Sequence, residues 1–482
     1  MTLDALRKLL ANRGVMMALG VTALFLVVCL YYMFHENYLV LLVPAALLMM
    51  WLFFCYRDES LALIALGTPF AVDFALVGEM KLSMPVEPMM IVFTLVFLFQ
   101  EFLMRRYDKR ILRHPVSVLI ILSLVWMTVT SALSLKPLES FKFTAARLWF
   151  VIPFFYATAQ SFQRVRHIKM FYWAYAISLA AVVALTTAKT LGGFSDLQLM
   201  HRVMRPFYND HTAYGCVIAL MLPLAVYYVF EPRTKLWKRL FAGALAALLL
   251  VGLGLSYCRA AWISVVLALG MYVLVRLGVR LRWMVLAAAV LVGLFFTFRS
   301  EIVYRMGKNT QDSSFTIAEQ VQSISNITTD ASNLERLNRW DAAFRMWREY
   351  PLTGIGPGAY QFIYGPYQKS EMMTIISTND GDMGNAHSEY IGPLTEQGVP
   401  GALLVLAIFI TTFLTGERVY RTAKDRRLGH LALVLAVSLL TYYIHGALNN
   451  FLDTDKLSVP FWGLTAAVVA LDIVTEKAPE KR

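Results

Sequence analysis

Long apolar blocks, separated by short polar segments, follow one another along almost the whole chain. A helix that crosses a bilayer needs roughly 20 mostly apolar residues, and the blocks are of that order. They cover residues 15–33, 38–55, 61–77, 88–104, 115–133, 143–158, 168–188, 213–230, 241–255, 261–275, 284–298, 401–415, 431–445 and 459–474. The pattern predicts an all-α, polytopic membrane bundle of about 12–14 transmembrane helices.

Two of these blocks carry residues that are unusual in a membrane span. Pro69 and Asp73 lie within 61–77, which we expect to be broken or re-entrant. Arg147 lies within 143–158. Because a charged side chain is costly in lipid, that helix is expected to turn Arg147 towards the protein interior.

The polar segments between the blocks alternate between two kinds. One kind is rich in Lys and Arg: the N-terminus, 105–113, 164–169, 233–239, 276–282, 418–427 and the C-terminal tail. The other kind is poorer in basic residues or much longer: 35–37, 78–87, 136–140, 190–210, 299–400 and 446–457. Because basic loops stay in the cytoplasm, both termini are expected there and the second set is expected outside. The first block is expected to be an uncleaved anchor.

The segment 299–400 is the only polar stretch long enough to form structure outside the membrane. It divides the chain into N-terminal transmembrane helices (1–298), a large external loop (299–400), and three last helices with a tail (401–482). Ser332 and Glu335 form a capping-box pattern that predicts a helix ending before Pro351. Its apolar residues recur at helical spacing: Leu334, Leu337, Trp340, Phe344 and Trp347. A second short helix is predicted from a cap at Asn385 to Gly398.

Composition narrows the class of protein further. Hydrophobic residues make up 58% of the chain and charged residues 16%, which excludes an ordinary soluble protein. The formal charge of +12 lies in the short segments between the apolar blocks. It therefore predicts topology signals and attraction to membrane lipids, and no nucleic-acid partner. The four cysteines lie in or beside apolar blocks and are expected to be buried small residues.

His387 is the leading candidate for chemistry. Five histidines are expected near the external face: His35, His201, His211, His387 and His445. Only His387 falls in the first turn of a predicted helix inside the large loop, where the positive end of the helix dipole disfavours imidazolium. A neutral ring can accept a proton, as a general base must. The alternative is a hydrogen-bonding surface histidine without a chemical role.

Three arginines lie near the expected external membrane face. Arg202 and Arg205 precede the apolar block 213–230, and Arg259 lies in the very short connection before 261–275. Such side chains can simply extend to phospholipid headgroups. However, external arginines run against the usual charge bias, and the guanidinium fork suits a lipid-linked phosphate or pyrophosphate.

The metal-binding signal is weak. Asp380-Gly381-Asp382 matches a D-x-D pattern, but no His or Cys supports it at a suitable spacing. The usual nucleotide-binding, hydrolase and zinc-protease motifs are absent from the sequence. No metal and no cofactor are therefore predicted.

Several motifs together resemble the O-antigen ligase/polymerase superfamily. They are Arg339-Trp340, the run Pro351-Leu352-Thr353-Gly354-Ile355-Gly356-Pro357-Gly358, Asn385-Ala386-His387-Ser388-Glu389-Tyr390, and Glu396-Gln397-Gly398. The upstream segments 205–211 and 256–262 are similar to the arginine segments of that family. The detailed likeness runs from about Arg202 to the C-terminus, whereas the first half matches only in hydropathy.

This resemblance implies a multi-helix glycosyltransferase of the bacterial inner membrane, inverting and independent of metal, with its site facing the periplasm. The donor would be a glycan on undecaprenyl pyrophosphate, and the acceptor lipid A–core or another glycan. His387 would be the base, while Arg259 with Arg205 or Arg202 would hold the pyrophosphate. Arg339, Tyr390 and Glu389 would be supporting residues. The chain departs from the family at Asp210-His211, where Asn or Ser is frequent, and His211 is therefore expected to share the role of His387.

Alternatives remain at this point. The acceptor could instead be another lipid-linked repeat unit, which makes a polymerase, or a protein, which makes an O-oligosaccharyltransferase. A transporter of lipid-linked glycan would be a different class, for which Asp73 and Arg147 are the only modest indications in the sequence. A structural scaffold would leave His387 and the arginines dispensable.

Overall fold

The computed structural model describes residues 42–77, 80–104, 107–190, 202–232, 234–279, 331–370 and 384–476, with six isolated positions at 25, 27, 28, 31, 290 and 377. Its helices and strands are, in chain order, α1 (Leu42–Cys55), α2 (Arg57–Gly67), β1 (Val72–Val77), β2 (Met80–Met84), α3 (Val86–Met104), α4 (Lys109–Arg113), α5 (Pro115–Ala132), α6 (Pro137–Val151), α7 (Thr158–Phe162), α8 (Val165–Thr190), α9 (His211–Phe230), α10 (Leu236–Leu255), α11 (Arg259–Arg276), α12 (Ala331–Glu349), α13 (Tyr360–Ile363), α14 (Ile391–Thr422), α15 (Arg426–His445) and α16 (Asp455–Glu476).

Nine of the described helices are long and apolar enough to cross a membrane: α3, α5, α8, α9, α10, α11, α14, α15 and α16. Each overlaps one of the predicted blocks, so the all-α, multi-pass architecture is confirmed. The block 38–55 corresponds to the shorter helix α1. The blocks 15–33 and 284–298 lie outside the described residues, apart from isolated positions.

The block 61–77 is broken, as Pro69 and Asp73 led us to expect. Helix α2 ends at Gly67, and Thr68–Phe70 forms a single 3₁₀ turn that contains Pro69. The chain then forms the antiparallel hairpin β1–β2, in which Asp73 pairs with Ser83. Ser83 Oγ donates to Asp455 Oδ2 at 2.9 Å, and Lys456 Nζ donates to Ala71 O at 2.8 Å. The hairpin is therefore attached to the start of α16, more than 350 residues away in sequence.

The predicted span 143–158 is continuous with its neighbours. Helix α6 passes through a π-helical segment (Ile152–Ala157) into α7. Arg147 Nη1 donates to the carbonyl oxygen of Leu452, in the turn before α16. The arginine thus faces the protein, as its cost in lipid required.

Helix α16 is the centre of the bundle. Every residue from Asp455 to Ile473 is buried, and α16 packs against α7, α14, α15 and the π-helical segment. A helix that is apolar on all sides is stable only when other helices surround it. Helices farther from α16 carry large apolar side chains on exposed faces, as Leu95, Phe99 and Phe102 do on α3, which suits contact with lipid.

The large loop rests on the bundle through interlocked glycines. Gly354 (φ +67°) packs so closely that a Cβ there would lie 2.2 Å from the carbonyl carbon of Glu396. Gly398 (φ +68°) reciprocates, since its Cβ would lie 2.1 Å from Leu352 O. Only glycine combines this conformation with so little space. The predicted turn after Pro351 is therefore the dock that fixes the loop against the start of α14.

Candidate functional site

Two turns at one end of the bundle lie side by side. One leads into α9 through Asp210, and the other leads into α11 through Ser256, Tyr257 and Cys258. A Cβ on Gly215, in the first turns of α9, would lie 2.9 Å from both Ser256 Oγ and Cys258 Cβ. This close packing brings together the helix N-termini that carry His211 and Arg259.

Residues 384–388, here called the strap, cross this end of the bundle before α14 begins. Arg339 Nη1 donates to Asn385 O at 3.3 Å, and Trp340 Nε1 donates to Ala386 O at 2.9 Å. The backbone N–H of His387 donates to Asn385 Oδ1 at 3.0 Å. Two neighbouring side chains of α12 therefore hold the backbone of the strap directly before His387.

The predicted short helix from Asn385 is wrong at its start. The residues 384–388 are not helical, and α14 begins only at Ile391. Asn385 does accept a backbone N–H two residues on, as a cap does, but His387 then adopts a left-handed conformation with φ +46°. Its predicted end is right, because Gly398 breaks the helical geometry.

The His387 ring has a lowered pKa and makes no hydrogen bond with a described residue. Among the residues that the structure describes, no hydrogen-bond partner is found for either ring nitrogen. Partial burial and the positive charges of Arg339 and Arg336 lower the pKa of His387 to about 4, against weaker opposite effects of Asp210 and Glu335. The ring is therefore neutral near neutral pH. Burial and two guanidiniums, rather than a helix dipole, are the cause.

Arg339 is a buried structural residue as well as a source of charge. Its Nε donates to Glu335 Oε1 at 2.7 Å, and its guanidinium lies 5.3 Å from the centre of the Tyr364 ring. Tyr360 donates its hydroxyl to Arg339 O at 2.8 Å. A Cβ at Gly384 would lie 2.3 Å from Arg339 Nη1, so a larger residue there would displace this guanidinium.

Sequence reasoning missed Arg336, which lies one turn before Arg339 on α12. Its Nε donates to Leu448 O at 3.2 Å, in the turn that follows α15, and its charge acts on His387. The spacing of Arg336 and Arg339 indicates that both lie near the candidate site, because residues three apart lie on the same face of a helix. In the same turn His445 is buried: its Nε2 lies 3.1 Å from Asn449 Nδ2, and its Nδ1 has no partner in the described part of the chain.

The other supporting candidates, Glu389, Tyr390 and His211, bond to groups other than His387. Glu389 Oε1 accepts from the backbone N–H of Phe451 and of Leu452, both at 3.0 Å, and from the Tyr442 hydroxyl. Tyr390 donates its hydroxyl to Tyr443 O at 2.6 Å. His211 Nδ1 lies 3.0 Å from Asp210 Oδ1 at the start of α9. Glu389 and Tyr390 therefore fasten the strap to α15, whereas His211 is joined to a carboxylate that acts on His387.

The three phosphate-binding candidates divide into two positions. Arg259 is the first residue of α11 and is half-buried beside the turn 256–258. Arg202 and Arg205 are exposed on the turn before α9, and neither guanidinium makes an ion pair with another described residue. That turn packs on the hairpin region, where Asn209 Nδ2 donates to Asp73 Oδ2 at 2.7 Å.

No group of three or more His, Cys, Asp or Glu side chains within the described ranges is arranged to hold a metal ion. The D-x-D turn at Asp380 and Asp382 lies outside those ranges.

Comparison with known proteins identifies the middle of the chain. No curated protein matches this sequence. Residues 244–406 match the family model described as Wzy_C: O-Antigen ligase. The matched segment contains Arg259, α12, the strap with His387, and the glycine dock, whereas Arg202, Arg205 and His211 precede it. This match supports an O-antigen ligase/polymerase-type function, and it confirms over residues 244–406 the resemblance to the O-antigen ligase superfamily.

Proposed function

We propose that this protein is an O-antigen ligase that transfers a glycan from undecaprenyl pyrophosphate to lipid A–core at the periplasmic face of the bacterial inner membrane. The observation that carries the proposal is the state of His387. Its backbone is fixed by α12, its ring is neutral, and no described residue bonds its ring nitrogens. A general base needs a ring nitrogen that no protein group occupies. The buried His445 also has a free Nδ1, but its Nε2 lies 3.1 Å from Asn449 Nδ2, whereas neither ring nitrogen of His387 has a described partner.

In the proposed step His387 removes the proton from the acceptor hydroxyl. The acceptor oxygen forms the new bond to the anomeric carbon of the donor glycan. The bond between that carbon and the pyrophosphate oxygen breaks with inversion, and the pyrophosphate leaves with the electron pair. Pyrophosphate is a good leaving group, so a base and fixed cations suffice without a metal.

The arginines supply those cations. Arg259 and Arg205 are assigned to the pyrophosphate, with Arg202 as the less favoured partner, since Arg205 directly precedes the Pro-Phe-Tyr-Asn segment. Guanidinium forks bind phosphate oxygens bidentately and stabilise the charge of the leaving group. Because donor and acceptor are both anchored in one membrane leaflet, the entropic cost of their encounter is reduced.

Donor binding also activates the base. Without substrate, burial and then the charges of Arg339 and Arg336 hold the pKa of His387 to about 4, which makes the ring a weak base. The negative charges of a bound pyrophosphate offset these guanidiniums and raise that pKa towards its ordinary value. His387 thus becomes a better base when the donor is in place.

The test uses purified protein, a lipid-pyrophosphate glycan, and three separate acceptors: lipid A–core, a lipid-linked repeat unit, and a protein. Transfer to lipid A–core without added metal is expected, and its loss in His387→Ala supports the base. His430→Ala, at the opposite end of the bundle, is the matched histidine control. Transfer only to the repeat unit or only to the protein would replace the ligase by a polymerase or an O-oligosaccharyltransferase, and no transfer to any acceptor would favour a transporter.

The phosphate assignment has its own comparison. Arg259→Ala should weaken use of the donor, and Arg259→Lys should restore it only partly because the fork is lost. Arg205→Ala should reduce transfer more than Arg202→Ala. Normal donor use in Arg259→Ala would contradict the assignment of this arginine.

A further inference from the structure

An open cavity of about 580 Å³ lies at the end of the bundle opposite His387. It is formed where α8 begins, α9 ends and α10 begins. Helix α9 runs the full distance from His211 at the candidate site to Phe230 beside this cavity. At 1.5 Å per residue, its length separates the two places by roughly 30 Å. The cavity is therefore separate from the transferase site and independent of the proposed activity.

The mouth of the cavity is positively charged. Lys169, Lys235 and Lys238 line it together with a single carboxylate, Glu231. Lys169 and Glu231 form an ion pair, which leaves Lys235 and Lys238 as the excess charge. Within the described ranges neither of these two lysines has a carboxylate partner. A ligand that binds here would have an anionic group at the mouth.

The polarity of the lining changes with depth. Beyond the lysines the walls are aromatic and aliphatic, with Trp173, Phe241 and Ile177. The rings of Trp173 and Phe241 lie 5.5 Å apart and form one wall. Ile177 lies eight residues beyond Lys169 on α8, which corresponds to roughly 12 Å along the helix. The cavity thus changes from charged to apolar over about the distance between a lipid headgroup and its acyl chains.

We propose that this cavity binds an anionic phospholipid of the membrane. The phosphate would lie between Lys235 and Lys238, and an acyl chain would lie along Trp173, Phe241 and Ile177. Basic pockets between helices, at the level of the headgroups, are the sites where membrane proteins hold anionic lipids. Interfacial aromatic rings suit the boundary between headgroup and chain. The volume is in the usual range for a small-molecule site.

The experiment measures lipid binding to the full-length, delipidated protein in detergent by native mass spectrometry. Phosphatidylglycerol is titrated against phosphatidylcholine of the same chain length. Phosphatidylglycerol should bind at least about tenfold more tightly. The double variant Lys235→Ala/Lys238→Ala should lose about 25-fold in affinity, since each lysine near an anionic headgroup contributes roughly fivefold. Lys235→Arg/Lys238→Arg should retain it.

The matched control is Lys109→Ala/Lys424→Ala, which removes two positive charges from exposed positions outside the cavity. This control should change the affinity less than twofold. If both double variants lose the same affinity for phosphatidylglycerol, the lipid is attracted by the overall positive charge of the surface, and the proposed site is wrong. Equal binding of the two phospholipids would also overturn it. If undecaprenyl phosphate displaces phosphatidylglycerol at equal or lower concentration, the assignment to a phospholipid is wrong.

Discussion

His387 and Glu389 lie two residues apart, yet their surroundings are opposite. The Glu389 carboxylate accepts from two backbone N–H groups and from the Tyr442 hydroxyl, and its own N–H donates to Gly446 O at 2.7 Å. No described residue bonds the His387 ring, although its N–H donates to Asn385 Oδ1 and the preceding carbonyl, Ala386 O, accepts from Trp340. Glu389 Oε1 is thus used three times within the fold, whereas a fixed histidine whose ring nitrogens have no described partner is available for a substrate. The comparison predicts that the two residues fail in different ways when they are changed.

The largest expected effect is on activity at His387. His387→Asn should lower transfer about 10²- to 10⁴-fold, the usual contribution of a positioned general base. Asparagine tolerates the left-handed backbone at this position, so the strap should keep its shape. The thermal midpoint should stay near that of the unchanged protein, because the ring makes no hydrogen bond with a described residue. A variant with more than about a tenth of the original rate would exclude His387 as the base.

Glu389 should show the reverse pattern. Glu389→Ala leaves the Leu452 N–H and the Tyr442 hydroxyl without their acceptor, while the Phe451 N–H keeps only Tyr442 Oη at 3.2 Å. It should therefore reduce the free energy of unfolding by about 3 kcal/mol. Thermal unfolding in detergent measures the loss. Glu389→Gln retains an acceptor oxygen and should lose clearly less. If Glu389→Ala unfolds at the original temperature but cannot transfer glycan, Glu389 belongs to the chemistry and the comparison fails.

The acid limb of the pH profile tests the charge environment of His387. The free base must be neutral, and its pKa is lowered from the ordinary 6.5 to about 4. The ratio kcat/KM should therefore be flat from neutral pH to about pH 5, and should fall tenfold per pH unit below about 4. Arg336→Gln removes one of the charges that lower this pKa, so the limb should move to higher pH. Unfolding is measured at the same pH values as a control, and a limb near 6.5 would contradict the proposed environment.

The sequence predicts the spanning helices well because their signal is local. Twenty apolar residues in a row have few stable alternatives in a membrane, and nine described helices follow that rule. The hairpin at Val72–Met84 could not be predicted in this way, since its partners Asp455 and Lys456 come from the far end of the chain. A pattern of hydrophobic positions contains no information about such a distant contact.

The candidate site likewise has features that the local sequence shows and features that depend on distant contacts. The residue types and motifs that point to His387 and the arginines are visible in the sequence. The left-handed backbone of His387 is not, because it depends on Arg339 and Trp340, nearly 50 residues earlier in the chain. The sequence also suggested Glu389 and Tyr390 as supporting residues without showing that both bond to the region of α15 rather than to His387. Residue identity could be predicted here, but hydrogen-bond partners could not.

The smallest expected effect concerns Trp340, and it distinguishes the hydrogen bond that Trp340 makes to the strap from the packing of its ring. Trp340→Phe keeps the aromatic ring but removes the bond to Ala386 O, which is worth about 1 kcal/mol. Because that bond fixes the residue next to His387, transfer should fall by roughly fivefold while the thermal midpoint changes little. Trp347→Phe is the matched control: Trp347 lies on the same helix, and its Nε1 has no hydrogen-bond partner among the described residues. Equal activity of the two variants would mean that the Trp340 bond does not position His387. The fixed backbone of the strap would then not explain how the unpaired His387 ring is positioned for a substrate.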